Sequence, residues 1–180
     1  MTDASAESVT VRPFDSDDAA SLWDLKRGFE TGLGTGTGGD DKATKYEAKL
    51  TDEYRQAWLD WVDRCVDEQA ATVSVAAVDA AEDSETAGDS PALAGYVFVL
   101  PESLSFIWDA AVLNEVYVRP AYRGTGVADD LMDAALATVR DQSLPLDRMV
   151  LDVDRENDRA QSFYDRYGFT HWGEMVARDL

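Results

Sequence analysis

One short run of residues, Arg123–Ala128, has residue types and spacing suited to binding an anion: Arg-Gly-Thr-Gly-Val-Ala. The stretch before it, Val112–Val118, is rich in β-branched residues and predicts a strand. After it, apolar residues recur at every fourth position, as on one face of a helix. A glycine-containing loop that opens a helix exposes backbone N–H groups at the positive end of the helix dipole, and glycine lets an anion approach them closely. The run therefore predicts a loop that binds a phosphate or a pyrophosphate.

A second glycine-rich run, Gly34–Gly39, matches the spacing G-x-G-x-x-G of a dinucleotide-binding loop. Such a loop requires a strand before it and a helix directly after it. Here a predicted helix precedes the run and acidic residues follow it, so we interpret the whole segment Gly28–Gly39 as a flexible loop. The run at Arg123–Ala128 has the required context, although a plain strand-to-helix turn would also favour glycine.

A second group of residues follows the next predicted strand: Asn157, Ala160, Tyr164 and Gly168-Phe169. With these residues the chain resembles the GNAT superfamily of acetyl-coenzyme-A-dependent N-acetyltransferases. Arg123–Ala128 matches that family's first element, which is Gln or Arg, two free positions, Gly, one free position, then Gly or Ala. The group after the strand matches its second signature. The clear resemblance covers about Ala111–Phe169, and the first half of the chain, which selects the substrate in that family, lies outside it.

The resemblance implies one α/β domain over residues 9–180, with a mixed, mostly antiparallel central sheet of six to seven strands flanked by about four helices. Residues 1–8 are small, polar and acidic, and we expect a disordered tail there. Apolar periodicity predicts one long helix from about Thr44 to Gln69. Arg148–Val153 reads as a buried strand, and one or two final strands are expected within Thr170–Asp179.

The resemblance also implies a co-substrate, acetyl-coenzyme A, and no metal. The pyrophosphate would rest on the N–H groups of the loop, with Arg123 beside them; these residues are Gly124, Thr125, Gly126, Val127 and Ala128. The pantetheine arm would lie along Val116, Tyr117 and Val118 like an added strand, and Asn157 would hold it. A β-bulge near Asn114–Val116 would aim a backbone N–H at the thioester oxygen.

Transfer of an acetyl group to an amine requires a proton acceptor for the amine and a proton donor for the departing thiolate. Tyr164 is implied as the donor, since a phenol is protonated at neutral pH; the alternative is a core tyrosine beside Phe163. Glu115, in an otherwise apolar strand where the groove should open, is the candidate base, directly or through water; the alternative is a solvent-facing side chain. Phe29 and Glu30 are candidates for the wall of the acceptor pocket.

The chain is strongly acidic, with 36 Asp and Glu against 16 Lys and Arg and a net charge of −20. The acids could recruit cationic partners, but their even spread along the chain favours adaptation to high salt, as in halophiles. No basic patch is present to neutralise a nucleic-acid backbone, and no apolar stretch approaches a membrane span. The single cysteine, Cys65, excludes an internal disulfide and suits a cytoplasmic protein. The single histidine, His171, has no neighbouring ligand that would predict a metal site.

The sequence thus predicts a cytoplasmic N-acetyltransferase, a monomer or homodimer, that moves acetyl from acetyl-coenzyme A to a primary amine. The acceptor could be a protein N-terminus, a lysine or a small amine. One alternative is a sensor that binds acyl-coenzyme A without turnover and acts through a partner protein. Another is an interaction domain whose loop binds nothing.

Overall fold

The computed structural model describes residues 8–36, 39–79 and 91–178. Five strands and five α-helices follow one another along them, joined in places by short 3-10 turns: β1 (Val9–Pro13), α1 (Ala19–Gly36), α2 (Gly39–Ala48), α3 (Asp52–Glu68), β2 (Val73–Val78), β3 (Leu93–Val99), β4 (Ala111–Val118), α4 (Val127–Arg140), β5 (Met149–Val150) and α5 (Asp158–Arg166). The predicted tail lies outside the described residues, apart from Ser8. No helix in these ranges is long and apolar enough to cross a membrane.

The strands form one sheet in the order β1-β2-β3-β4-β5. The first three pairings are antiparallel and the last, between β4 and β5, is parallel. This confirms the predicted mixed, mostly antiparallel α/β architecture. The predicted six to seven strands were too many and the predicted four helices one too few for the described part of the chain. No strand forms over residues 170–178, where one or two were expected.

The first half of the chain differs most from expectation. Residues 28–36 are not a loop, because α1 continues through them to Gly36, and residues 37–38 lie outside the described chain. Burial of one face of α1, with Leu22 and Leu25 fully buried, overrides the low helix propensity of glycine. The predicted single helix is instead two helices, because α2 ends at Ala48 and Thr51 caps the start of α3 through the N–H of Tyr54 at 3.2 Å.

The sheet separates two layers of core. On one face, α1 and α3 pack on residues that include Val75, Tyr96 and Phe98. On the other face, α4 packs on the alternate residues of the same strands, as the period of two in a strand requires. Cys65 is buried in the first layer. β4 contributes to both layers, with Val112 and Tyr117 in the first and Ala111 and Leu113 in the second.

β4 and β5 pair over only two residues each, Ala111 with Met149 and Val112 with Val150, and then separate. The predicted strand at Arg148–Val153 is therefore much shorter than expected. Just beyond the separation, β4 carries a bulge, since Phe98 pairs with Glu115 while Val99 pairs with Leu113 and Asn114 is the extra residue. This confirms the predicted bulge. The separation leaves one edge of β4 open to a cleft.

Candidate active site

The cleft encloses about 1000 Å³ between β4 on one side and the segment from β5 to α5 on the other. The first turn of α4 lies at one end, which we call the loop end. Residues of α1 and α2 lie at the other end, which we call the helix end, and include Phe29, Gly32 and Tyr46. Here Lys42 of α2 reaches the far wall, with its Nζ 2.7 Å from a carboxylate oxygen of Asp154. The predicted site residues that line this cleft are Phe29, Glu115, Val116, Tyr117, Val118, Arg123, Gly124, Ala128, Asn157 and Tyr164.

The loop end is built from backbone. Gly124 and Gly126 have φ angles of +81° and +96°, the left-handed region that favours glycine. Gly126 caps α4 without a side-chain cap, and its carbonyl accepts the N–H groups of Asp129 and Asp130 at 2.9 and 3.0 Å. Within the described residues, the N–H groups of Gly126, Val127 and Ala128 donate to no backbone carbonyl. The loop therefore presents donors at a helix N-terminus, as an anion site requires.

Side chains hold this loop in place. Thr125 donates its hydroxyl to the carbonyl of Tyr122 at 2.6 Å, and Arg123 Nε donates to the carbonyl of Val118 at 2.9 Å. The Arg123 guanidinium also lies 5.7 Å from the centre of the Tyr117 ring. Arg123 thus packs on the loop while its remaining N–H groups place positive charge beside it.

The open edge of β4 offers backbone groups to the cleft. Arg119 N–H donates to the carbonyl of Ala94 on β3 at 2.8 Å. Since hydrogen bonds alternate along an antiparallel pair, the backbone groups of Val118 and Val116 point away from β3. Arg123 takes the carbonyl of Val118, which leaves both backbone groups of Val116 facing the edge that β5 has left. Val116 lies two residues after Asn114, the extra residue of the bulge.

Two predicted residues lie on the opposite wall. Asn157 caps α5, with its side-chain oxygen accepting the N–H of Ala160 at 3.1 Å, so its amide NH₂ group is left to donate elsewhere. Tyr164 packs edge-on against Phe163 and Phe169, at 5.5 and 5.8 Å between ring centres. Burial raises the pKa of Tyr164 to about 12. Its hydroxyl has no hydrogen-bond partner among the described residues.

Glu115 is 7% exposed, which excludes the solvent-facing alternative. Its carboxylate lies 2.5 Å from Lys26 Nζ and accepts the hydroxyl of Tyr96 at 2.6 Å. Lys26 is itself 2% exposed and lies 2.6 Å from Glu30, which in turn lies 2.8 Å from Lys49. We call these five residues, Lys26, Glu30, Lys49, Tyr96 and Glu115, the buried charge network. It holds two positive and two negative charges.

The pKa values in this network follow from the pairing. Burial alone would lower the pKa of Lys26, but Glu115 and Glu30 outweigh burial and raise it. Burial alone would raise the pKa of Glu30, but Lys26 and Lys49 outweigh it and lower the pKa. Burial, and next the charge of Glu115, raises the pKa of Tyr96 well above its usual value. Lys26 therefore stays protonated and Glu30 stays ionised.

Of the two residues predicted for the wall of the acceptor pocket, one lines the cleft and the other does not. Phe29 lines the cleft, whereas Glu30 does not and belongs to the buried charge network. Sequence reasoning missed Lys26, Lys49 and Tyr96. The available signal was a lysine on the apolar face of a predicted helix with a glutamate four residues later, which is ion-pair spacing. Nothing in the sequence connects Lys26 to Glu115, which lies 89 residues further along the chain, on β4.

Comparison with known proteins agrees with this geometry. The model of the Acetyltransferase (GNAT) family matches residues 40–169. A solved structure of a PaiA N-acetyltransferase from Thermoplasma acidophilum, in complex with coenzyme A, superimposes with a TM-score of 0.65 at 19% identity, over 91% of this chain and 90% of that one. At this identity the likeness shows a shared fold.

Two curated relatives match shorter segments. A mycothiol acetyltransferase from Salinispora tropica is 40% identical over 74 residues, which is 39% of this chain and 24% of the relative. A 5-NmdU N-acetyltransferase from Pseudomonas phage PaMx11 is 36% identical over 65 residues, which is 36% of this chain and 43% of the relative. The chain thus spans less than half the length of these relatives, and their names refer to different compounds.

Proposed function

The chain belongs to the acetyltransferase (GNAT) family, and from that premise we propose that it transfers an acetyl group from acetyl-coenzyme A directly to a primary amine. The observation that carries the proposal is the loop end of the cleft. There, donors at the N-terminus of α4 adjoin two left-handed glycines and the open edge of β4. This combination suits a ligand with an anionic tail and an extended, amide-containing arm.

Coenzyme A fits these residues. The N–H groups of Gly126, Val127 and Ala128 would hold the pyrophosphate, with Gly124, Thr125 and Arg123 completing the loop. A Cβ built on Gly126 meets nothing within 4 Å, so the space in front of the loop is open to a ligand. The backbone groups of Val116 and the N–H of Val118 would pair with the arm, together with the side-chain amide of Asn157.

Acetyl-coenzyme A, when bound, supplies an acetyl thioester whose carbonyl carbon the amine attacks. We place the N–H of Val116 at the carbonyl oxygen, where it donates to the negative charge that develops as the C–N bond forms. Tyr164 donates its proton to the sulfur as the C–S bond breaks. The burial that raises the pKa of Tyr164 disfavours a thiolate in the same cleft as well. Because burial raises the pKa of the proton donor and of the accepting thiol alike, it changes the free energy of the proton transfer little.

Glu115 is the proposed acceptor of the proton that the amine loses. It lies beside Val116 on the bulged strand and lines the cleft. Because Lys26 and Tyr96 already bind its carboxylate, we expect it to act through a water molecule at a remaining lone pair. The acceptor pocket would be the helix end, with Phe29 as part of its wall.

The same pairing of Glu115 favours a second function. If its carboxylate serves only to neutralise Lys26, the chain is a sensor that binds acyl-coenzyme A without turnover and acts through a partner protein. The two functions share the loop end and differ in whether an acceptor is ever acetylated.

We also propose that residues 9–180 act as one domain in the cytoplasm of a halophile, as a monomer or homodimer with no nucleic-acid or membrane partner. The net charge of −20 supports a protein that works at high salt, because a Debye length of about 3 Å at molar salt screens the repulsion among its acids.

The test has two stages, both in 2 M KCl and in 0.1 M KCl. Calorimetry first measures binding of coenzyme A to the protein, to Gly126→Asp, and to Ala137→Asp, which adds the same charge to the exposed end of α4. We expect binding in the first and third and loss of binding in the second. Release of free coenzyme A is then followed with peptide N-termini, lysine and small amines as acceptors.

Acetylation of any amine supports the enzyme, and binding without acetylation of any acceptor supports the sensor. The proposal would be overturned if the wild-type protein bound coenzyme A at neither of the two salt concentrations. It would also be overturned if Gly126→Asp bound coenzyme A as well as the wild type does.

A further inference from the structure

The first turn of α4 contains a charge that conflicts with an anion site. Asp129 is the third residue of the helix, two positions after Val127, and Asp130 follows it. A side-chain acceptor at this third position can reach back to the N–H of the capping residue, as it does in a capping box. Here the capping residue is Gly126, whose N–H belongs to the proposed pyrophosphate site. Unrestrained, Asp129 could occupy that site with its own carboxylate.

The structure shows the Asp129 carboxylate held elsewhere. One oxygen accepts the hydroxyl of Tyr167 at 2.8 Å and lies 3.1 Å from a guanidinium nitrogen of Arg166. Both partners come from the C-terminal end of α5, where Arg166 is the last helical residue and Tyr167 is the C-cap. The Arg166 guanidinium is itself placed over the ring of Phe163, 5.3 Å from its centre. Asp129 is therefore turned towards α5 and its charge is paired.

Asp130 provides an internal contrast. It lies in the same turn and is exposed, and no ion pair joins it to another described residue. At the fourth helical position its side chain is beyond the capping geometry, so it needs no restraint. Only the aspartate that can reach the loop is held away from it.

We propose that Tyr167 and Arg166 are positioning residues for the pyrophosphate site, which they keep free by holding Asp129 against α5. The inference rests on the proposed function, since it assumes that the loop binds coenzyme A. It also explains how a helix that begins with two acids in its first turn can accept a phosphorylated ligand.

The experiment uses free coenzyme A as the probe and calorimetry in 0.1 M and 2 M KCl. The double variant Tyr167→Phe/Arg166→Gln should weaken binding about three- to tenfold at 0.1 M KCl, the size expected for a charge at a helix N-terminus. The loss should shrink at 2 M KCl, where the freed charge is screened. Adding Asp129→Asn to the double variant should restore wild-type affinity, whereas adding Asp130→Asn should leave most of the loss in place.

The outcomes separate this inference from the proposed function. If the wild type does not bind coenzyme A, the proposed function fails and this inference fails with it. If the wild type binds and the double variant binds equally well, only the positioning role fails. A loss that Asp129→Asn does not restore would show that Tyr167 and Arg166 act through folding, and would equally overturn the inference. Thermal unfolding of each variant accompanies the titrations.

Discussion

The two ends of the cleft are built in opposite ways. The loop end uses backbone N–H groups from a few consecutive residues, Gly124–Ala128, and its conformation depends on glycines with positive φ. Beneath the helix end lies the buried charge network. Its side chains come from α1, from β3, from β4 and, for Lys49, from the short segment between α2 and α3. A backbone site tolerates most side-chain changes but is sensitive to an added Cβ. A buried network of balanced charges is sensitive to the loss of any member, because the remaining partners are left unpaired.

The largest effect is expected where the network is broken. Lys26→Met leaves Glu115 and Glu30 buried without their shared cation, which should lower the free energy of unfolding by about 3–5 kcal/mol. Urea unfolding measures the change. Arg27→Met is the matched control on the next residue, whose side chain is 61% exposed, and should change the stability by less than about 0.5 kcal/mol.

Two further observations test the origin of this effect. The triple variant Lys26→Met/Glu30→Gln/Glu115→Gln removes the unpaired charges and should recover part of the loss. A Lys26→Met protein within about 1 kcal/mol of wild type would show that the network is not a stability element.

Tyr164→Phe tests the proposed general acid, which lines the cleft. We expect kcat to fall about 100-fold, in the range for loss of a general acid, with little change in the affinity for coenzyme A. Because the pKa of Tyr164 is raised to about 12, the phenol keeps its proton up to that pH. The wild-type rate should therefore not fall between pH 8 and pH 10 through loss of this proton. Initial rates of coenzyme A release over this range give both results.

The free energy of unfolding of Tyr164→Phe shows whether any loss of activity comes from a loss of stability. The hydroxyl has no partner among the described residues, so its removal should change the free energy of unfolding by less than about 1 kcal/mol. An unchanged kcat would remove Tyr164 from the mechanism.

Gly126→Ala tests the backbone end alone. A Cβ at a φ of +96° costs about 1–2 kcal/mol of stability, although it meets no neighbouring atom. Gly168→Ala is the matched control, with a φ of +81° at the end of α5 and equally open space. Both variants should lose similar stability, and only Gly126→Ala should also bind coenzyme A more weakly. Equal affinities in the two variants would contradict the position of the pyrophosphate.

The smallest effect tests α1, which lines the helix end of the cleft. Gly32→Ala, in the middle of α1, has no atom within 4 Å of the added Cβ and should stabilise the protein by about 0.5–1 kcal/mol. At Gly28 the Cβ would lie 2.6 Å from the Tyr117 hydroxyl, so Gly28→Ala should forfeit that gain. Thermal unfolding compares the two. Destabilisation by Gly32→Ala would contradict the helical conformation of this glycine-rich segment.

The sequence predicted the conformation of the loop end because that loop is local. Arg123–Ala128 carries its own turn, its own glycines and the start of its own helix, so no distant contact was needed to recognise it. The bulge at Asn114 followed from the family resemblance and is present. The same reasoning placed too many strands after α5, where residues 170–178 form none.

The helix end was predicted poorly because it depends on packing between distant residues. Glycines at Gly28 and Gly32 favour a loop locally, but the burial of Leu22, Leu25 and Lys26 on one face keeps α1 helical through them. The face of α1 that the core covers also decides that Phe29 points to the cleft and Glu30 points away from it. A side chain's direction on a helix is set by which face the core covers, and that face was not evident from composition.

By itself, the sequence determined the mixed α/β class, the glycine loop at the start of α4 and the acidic composition, because each follows from the types and order of residues in short windows or from a simple count. Only the tertiary structure decided that Glu115 faces inward onto Lys26, that Glu30 leaves the cleft, and that Asp129 is held against α5. These three carboxylates are identical in kind to the many that cover the surface. What distinguishes them is a partner 4 to 89 residues away, which the chain brings into contact only when it folds.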